Sequence, residues 1–231
     1  MIRVAMHQPN FLPYIGFFDK AAKADLFVIV DHVDFSKGKD NWHHRNRIRN
    51  PRGWDYITMP VSDHFNYKPF TSVVLNGDTE FRKRKHIKTF CLNYQKAPFF
   101  DEYFGPFAEL YTEKETSLAE FNIKLIRWML DSMRIRARLV RSSELDFDRD
   151  ARKTDMIMGI MEAVGGDRFI SGDGARCYLE RERFQGNGIS MEFQNFHHPE
   201  YQQTYPGFIP NMSAIDLLFN TGKSALKLIH Q

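Results

Sequence analysis

The first 31 residues constrain the fold of this chain more than any other stretch. Ile2–Met6 is a short apolar run typical of a buried strand, and His7-Gln8-Pro9-Asn10 ends it, because proline and asparagine disfavour strand continuation. Pro13 suits the first turn of a helix, which is expected to run to about Ala24. Leu26–Val30 is then predicted to be a second buried strand. The order strand, helix, strand predicts a parallel pair joined by a right-handed crossover.

Polar residues follow directly on both predicted strands. His7 and Gln8 come after the first, and Asp31 comes after the second. Open parallel sheets bind ligands at the carboxyl ends of their strands, so these side chains are candidates for a site. A histidine there can act as a general base or hydrogen-bond a phosphate, since its ordinary pKa is about 6.5. The alternative is a histidine that only holds the turn.

Composition limits the class of protein. The 231 residues can form one substantial core, and a single α/β domain is expected over residues 1–231. With 42% hydrophobic and 26% charged residues, the chain is typical of a soluble globular protein. The net charge of +3 suits an anionic small molecule and does not require nucleic acid. Two cysteines without a spacing pattern, no leader and no long apolar span predict a cytoplasmic protein with no membrane partner.

Downstream of Asp31 the pattern alternates between strands and helices. A long basic loop is expected over residues 32–53, because the apolar residues there follow neither a helical nor an alternating pattern. A helical stretch is expected over residues 79–135. Within the latter, Gly105-Pro106 is expected to break the aromatic-rich segment Pro98–Tyr111, and Ser117 with Glu120 fits a capping box. The predicted strands are Trp54–Val61, Phe70–Leu75, Arg138–Arg141, Arg168–Ser171 and Ile189–Phe196. The predicted helices are Glu80–Tyr94, Ser117 to Met133, Asp155–Val164, Ala175 to Phe184 and one that opens at Ser213 and breaks at Gly222. Such alternation indicates an α/β fold.

The basic segment holds the candidate anion site Asn41–Arg47. In an extended backbone Arg45 and Arg47 share one face, with Asn46 opposite. Two arginines on one face could bind a diphosphate or a carboxylate through bidentate hydrogen bonds. The alternative is a solvated basic loop, although Trp42 and the histidines among the arginines favour an anion site.

A small-residue turn, Ser171-Gly172-Asp173-Gly174, leads from a predicted strand into a predicted helix. Backbone N–H groups at such a turn can bind phosphate. The turn is neither a Walker A loop nor a GxGxxG fingerprint, and a plain connection is the alternative.

Metal and thiol chemistry are poorly supported by the spacing of their candidate residues. The pairs His43-His44 and His197-His198 are adjacent, so their side chains point apart, and no HExxH pattern is present; no metal is predicted. Cys91 lies on the predicted apolar face of a helix and is predicted to be a core residue. Cys177 lies near a predicted helix start, where a thiol pKa falls, but no partner histidine is identifiable. The sequence leaves the cofactor unknown.

Three segments carry a resemblance to a known family. They are HQPNFLPYIGFFDKAAKADLFVIVDHVDFSKG with the following NWHHRNRIR, then RFISGDGARCYLERERF, and finally FHHPEYQQTYPGFIPNMSAIDLLFNTG. Together they resemble the WbqC-like family over essentially the whole chain, and this resemblance implies a role in O-antigen or other surface-polysaccharide biosynthesis. The residues that match the family motifs are His7, Gln8, Pro9, Pro13, Lys20, Asp31, Arg45, Asn46, Arg47, Ser171, Gly172, Tyr178, Tyr201, Gln203, Ser213, Asp216 and Asn220. Cys177 stands where relatives are expected to carry an ordinary polar residue.

A more distant likeness concerns the nucleotidylyltransferases. The arrangement strand–QPxxLPYIGF–helix–strand is similar in layout to their HxGH segment, and ISGDGAR is similar to their ISSTxxR motif. This likeness implies a mostly parallel, Rossmann-like sheet covered by helices on both faces. The HxGH positions are Tyr14-Ile15-Gly16-Phe17, without the two histidines that would stabilise charge on the phosphates. The likeness therefore implies nucleotide binding, and nucleotidyl transfer would need a rebuilt active site.

The sequence therefore predicts a transferase that binds an anionic, nucleotide-linked substrate and moves a group to or from an amino sugar. His7 and Asp31 are the predicted catalytic residues. The predicted substrate-binding residues are Gln8, Asn10, Lys20, Arg45, Asn46, Arg47, Ser171, Gly172, Tyr178, Tyr201 and Gln203. The alternatives are a nucleotidylyltransferase-like enzyme with a rebuilt active site and a non-catalytic binding protein of the glycan assembly machinery. We expect His7, Asp31, Arg45, Arg47 and the Ser171-Gly172 turn to converge on one pocket.

Overall fold

A computed structural model describes residues 1–38, 41–177 and 179–230. The strands are β1 (Arg3–His7), β2 (Leu26–Ile29), β3 (Arg45–Asn50), β4 (Gly53–Thr58), β5 (Arg138–Arg141), β6 (Arg168–Ser171) and β7 (Ser190–Phe193). The helices are α1 (Ile15–Ala22), α2 (Thr79–Tyr94), α3 (Phe100–Thr112), α4 (Leu118–Ser132), α5 (Lys153–Ala163), α6 (Arg181–Gly186), α7 (Ala214–Thr221) and α8 (Ala225–Ile229). No helix in these described ranges is long and apolar enough to cross a membrane.

Five of the strands form one sheet in the order β5-β2-β1-β6-β7, and every neighbouring pair is parallel. β1 lies at its centre, paired with β2 from Val4↔Leu26 to His7↔Ile29 and with β6 on its other edge. The strand–helix–strand unit predicted from the N-terminal sequence is therefore confirmed, with both strands inside the sheet. The remaining pair, β3 and β4, forms a separate antiparallel hairpin.

Alternate residues of the central strands enter two apolar clusters. Ala5, Phe27 and Ile170 belong to the larger cluster, with side chains of α1, α3, α4 and α7. Val4, Val28 and Phe169 belong to the other, with side chains of α5 and α6. Because successive strand residues point to opposite faces, the two clusters cover the two faces of the sheet. A parallel sheet buried on both sides needs continuously apolar strands, and the predicted Rossmann-like α/β architecture is confirmed.

The second half of the predicted basic loop is wrong, because residues 45–50 and 53–58 form the β3–β4 hairpin. Asn46 and Ile48 are buried on one face of β3. Arg47 lies on the other face, where its guanidinium carbon is 4.4 Å from the centre of the Trp54 ring. Arginines alternating with core residues hide the apolar period of this strand, and aromatic residues of the partner strand cover them.

Three other element predictions are corrected by the structure. Phe70–Leu75 is not a strand but a 3₁₀ turn, Phe70–Ser72, followed by isolated bridges. α3 continues through Pro106, because buried side chains on both sides of the proline, among them Phe107, hold the helix to the core. The helix predicted from Ala175 begins only at Arg181, since Asp173 accepts from Phe196 N and from Arg176 and so ties the turn to the segment after β7.

Two predicted helix boundaries are confirmed by their capping geometry. The Ser117 side chain accepts a hydrogen bond from Glu120 N at 3.3 Å at the start of α4. Gly222 ends α7 with a φ of +55°, a conformation that favours glycine.

Candidate functional site

A cavity of about 580 Å³ lies at the carboxyl ends of β1 and β6. We call it the switch-point cavity, because the strand order places the connection from β1 to β2 on one side of β1 and β6 on the other. Ligands of open α/β sheets bind at such a topological switch point. His7 and Gln8 line the cavity after β1, Ser171 and Gly172 line it after β6, and Lys20 reaches it from α1.

Lys20 is the most unusual group of this cavity. Its side chain is only 6% exposed, and its ammonium donates to Met6 O at 2.7 Å. Burial lowers the pKa of this lysine to about 8, so the ammonium is still mostly charged near pH 7. No carboxylate in the described ranges forms an ion pair with it. The cavity therefore contains a buried cation without a counter-charge.

The pairing between β1 and β6 ends just where Lys20 enters. The last matched pair is Ala5↔Ile170, and the next β1 carbonyl, Met6 O, is taken by the ammonium. A side chain at position 172 would begin 3.8 Å from Lys20 Nζ, so glycine leaves the approach to the ammonium open. In the described part of the chain no hydrogen bond engages the backbone N–H groups of residues 172–174. Cation and N–H donors together suit an oxyanion.

His7 has one imidazole nitrogen, Nε2, without a hydrogen-bond partner among the described residues. Its Nδ1 lies 3.0 Å from Gln8 O, and because a carbonyl only accepts, Nδ1 carries the proton and Nε2 carries the lone pair. Burial and the positive charge of Lys20 lower the pKa of His7 to about 3, so the ring is neutral at physiological pH. An anion bound beside Lys20 would offset the positive charge of the lysine. The pKa of His7 would then rise, and His7 would be a stronger base.

Gln8 is oriented by His43. Ser36 N donates to His43 Nδ1 at 3.4 Å, so His43 Nε2 carries the proton and donates to Gln8 Oε1 at 2.8 Å. Burial lowers the pKa of His43 to about 4, which keeps this neutral tautomer in place. With its oxygen engaged, Gln8 offers its amide N–H groups to the cavity. Gln8 is thus a positioned donor, as a substrate-binding role requires.

Asp31 does not line the switch-point cavity. Its carboxylate is fully buried and accepts four hydrogen bonds, which come from Ser142 Oγ, Ser143 N, Ser143 Oγ and Arg141 Nε. Donors occupy both oxygens, so no free lone pair remains to take a proton from a substrate. The structure places Asp31 as a structural link between the end of β2 and the turn after β5, outside the cavity that was expected to hold it, and its catalytic role stays a prediction.

Arg47 lies at a second cavity of about 340 Å³, which we call the hairpin cavity. Asn10 and Asn46 also line it, and Tyr14 lines both cavities. Asn46 is committed to structure, since its amide donates to Phe11 O and Leu12 O. Arg45 stacks on Tyr56 at 4.7 Å outside both cavities. The prediction that all these groups share one pocket is therefore wrong for Asp31, Arg45 and Arg47.

Tyr201 and Gln203 belong to a buried polar network around α7. Both donate to Asp216 Oδ2, at 2.7 and 2.9 Å. The Gln203 amide also donates to Ile209 O, so the network holds the segment after β7 against the core. Neither residue lines the switch-point cavity, and their role in substrate binding stays a prediction. Tyr178, also predicted to bind substrate, lies outside the described residues.

The Asp216 network gives the protein a specific pH dependence. Burial raises the pKa of Asp216 to about 6, above its usual 3.8, so the folded state favours the protonated carboxyl. This contribution to stability is complete below about pH 4 and is lost as the pH rises through 6. Between pH 5 and pH 7 we expect Asp216 to reduce the free energy of unfolding by about 1 kcal/mol. Urea unfolding of the wild type and of Asp216→Asn at both pH values measures it, and an equal pH dependence in the two proteins would contradict it.

Sequence reasoning missed two residues that shape the switch-point cavity. Gln194 donates to Gly16 O and to Asp19 Oδ2, both at 2.6 Å, and so joins the end of β7 to α1. Tyr14 lies directly over Gly16, where an added Cβ would come within 2.5 Å of the tyrosine ring. The sequence Tyr14-Ile15-Gly16, in which a glycine lies two residues after a tyrosine at a helix start, could have indicated the role of Tyr14. Gln194 lies within the predicted strand Ile189–Phe196 but follows the observed strand β7, and its partners are distant in sequence.

The histidine pairs do not form a metal centre in the described ranges. No group of three or more His, Cys, Asp or Glu side chains there is placed to hold an ion. His43 is engaged with Ser36 and Gln8, and His198 accepts from Asn211 N. That the protein binds no metal stays a prediction.

The fold and the cavity define a class: an α/β protein with a parallel sheet and a cation-bearing cavity at its topological switch point. Residues 8–228 match the WbqC-like protein family, and the chain belongs to that family. It is also similar to Rv1507c of Mycobacterium tuberculosis (strain ATCC 25618 / H37Rv), an uncharacterized protein. The two are 30% identical over 227 residues, which cover 97% of this chain and 96% of the mycobacterial protein. No solved structure matches the chain significantly.

Proposed function

We propose that this protein is a cytoplasmic transferase of bacterial surface-polysaccharide or nucleotide-sugar metabolism. It binds an anionic, nucleotide-linked substrate in the switch-point cavity and moves a group to or from an amino sugar. The observation that carries the proposal is Lys20, a buried ammonium without a counter-charge beside the open N–H groups of residues 172–174. A phosphate there would supply the missing negative charge.

Lys20 has a structural alternative, which is to satisfy the carbonyl of Met6. A neutral hydrogen bond gives about 1 kcal/mol of stability. By contrast, lowering a lysine pKa from 10.5 to about 8 costs the folded state about 3 kcal/mol near pH 7. A neutral donor would satisfy Met6 O at a smaller cost. The charge itself is therefore better explained by an anionic ligand.

His7 supplies the chemical step of the proposed reaction. Its Nε2 lone pair accepts the proton of the acceptor's hydroxyl or amine as that group forms its bond to the transferred group. The bond between the transferred group and its donor breaks, and the donor leaves with the electron pair. The bound phosphate beside Lys20 strengthens His7 as a base. A concave cavity around His7 favours an enzyme over a flat scaffold surface. Tyr14 and Phe17 at the HxGH positions offer no imidazole, which disfavours the nucleotidylyltransferase-like alternative.

Gly172→Asp tests the anion site directly. The Cβ of the new side chain would lie 3.8 Å from Lys20 Nζ, so its carboxylate could occupy the place of the phosphate. Wild-type protein screened by thermal shift against nucleotides and nucleotide sugars should be stabilised by several degrees, and titration calorimetry should then show Gly172→Asp weakening that binding at least 100-fold. The matched control is Gly172→Asn, equal in size without the charge, which should weaken binding far less. Equal binding by wild type and Gly172→Asp would show that the ligand binds elsewhere and would contradict the proposal.

A further inference from the structure

Arg47 in the hairpin cavity has the properties of a ligand-binding residue. Its guanidinium lies against two indole rings, with centroids 4.4 Å away for Trp54 and 5.2 Å for Trp42. Its Nε is buried without a hydrogen-bond partner, and no ion pair joins it to a carboxylate in the described ranges. Trp54 is 39% exposed, so this face of the hairpin reaches solvent.

The stacking fixes the plane of the guanidinium. An arginine held between aromatic rings keeps its fork of N–H donors in one orientation, whereas a free arginine samples many. Such a fork binds planar oxyanions through two parallel hydrogen bonds. Asn10 also lines the cavity and is buried, and the indoles give apolar surface suited to the C–H faces of a sugar ring.

We propose that the hairpin cavity is a second subsite, which binds the carboxylate of the second substrate. Arg47 is the cation that lines it, and a single positive charge matches a carboxylate better than a doubly charged phosphate. Tyr14 lines both cavities, so a carboxylate held at Arg47 lies next to the switch-point cavity. The carboxylate can belong to an acidic sugar or to an amino acid. Its assignment to the second substrate rests on the proposed transferase function, while binding itself does not.

Titration calorimetry with glucuronate, glutamate and inorganic phosphate tests this subsite. We expect one of the two carboxylates to bind the wild type, and Arg47→Gln to weaken it at least 10-fold. Arg47→Lys keeps the charge and loses the fork, and should also weaken binding several-fold. The matched control is Arg52→Gln, which removes an exposed arginine from the turn of the same hairpin and should leave binding unchanged. Circular dichroism checks that each variant is folded.

The Gly172→Asp variant separates this proposal from the previous one. Carboxylate binding that survives Gly172→Asp and is lost in Arg47→Gln supports the subsite, even if no nucleotide binds the switch-point cavity. Carboxylate binding that is lost in Gly172→Asp and unchanged in Arg47→Gln overturns it. The proposal is also overturned if neither carboxylate binds, or if phosphate alone binds in an Arg47-dependent way.

Discussion

Asp31→Ala is expected to lose about 3–5 kcal/mol of unfolding free energy. The substitution removes the acceptor of four hydrogen bonds at a fully buried position and leaves Ser142 Oγ and Ser143 N without their partner. Arg141 keeps its hydrogen bond to Glu120, so the positive charge of Arg141 retains one carboxylate partner. For a chain of this length the loss corresponds to a fall in melting temperature of about 10 °C. Urea unfolding followed by circular dichroism measures it.

Two further variants separate the structural role of Asp31 from a catalytic one. Asp31→Asn keeps the size, but one oxygen becomes an amide that faces donors, so a loss of about 2–4 kcal/mol is expected. Glu120→Gln, at the partly exposed partner of Arg141, should cost less than about 1 kcal/mol. If Asp31→Asn were as stable as the wild type but inactive, the catalytic role predicted from the sequence would be right after all.

The contrast between Asp31 and His7 shows what the sequence can predict about the site. Both follow buried strands, and the parallel sheet places both at the same edge. Strand periodicity and the position of the crossover were sufficient for that result. Whether a side chain at the edge faces a cavity depends on what packs above it, and Asp31 is covered by the turn after β5, more than 100 residues away in the chain. No local pattern encodes that contact.

The hairpin shows the corresponding limit for secondary structure. Arg45, Arg47 and Arg49 occupy alternate positions of β3, but Ile48 is the one apolar residue between them, so the segment resembles a charged loop. The alternation becomes meaningful only when Trp54 and Tyr56 of β4 are known to stack on the arginines. The prediction that Arg45 and Arg47 share a face was nevertheless correct, because it follows from extended backbone alone.

Lys20→Met is expected to give a more stable protein that no longer binds its anionic ligand. Methionine fills a similar volume and removes an ammonium whose burial costs about 3 kcal/mol near pH 7. Losing the charge-assisted hydrogen bond to Met6 O offsets about 1.5 kcal/mol of this gain, and that carbonyl can hydrogen-bond to water in the cavity. The net expectation is a gain of about 1–2 kcal/mol in the unliganded protein, measured by urea unfolding, with at least a 100-fold loss of nucleotide affinity.

The pH dependence of this gain identifies its cause. Because burial lowers the pKa of Lys20 to about 8, the wild type carries the full cost of the charge below pH 8 and loses it as the pH rises towards 10.5. The stability advantage of Lys20→Met should therefore shrink above pH 8. Lys124→Met removes an equal charge from a partly exposed ion pair with Glu113, and should change neither binding nor this pH profile. A Lys20→Met protein that is less stable than the wild type and still binds the nucleotide would show that the lysine only supports the end of β1. Greater stability together with lost binding is the expected result for a residue whose charge serves a ligand.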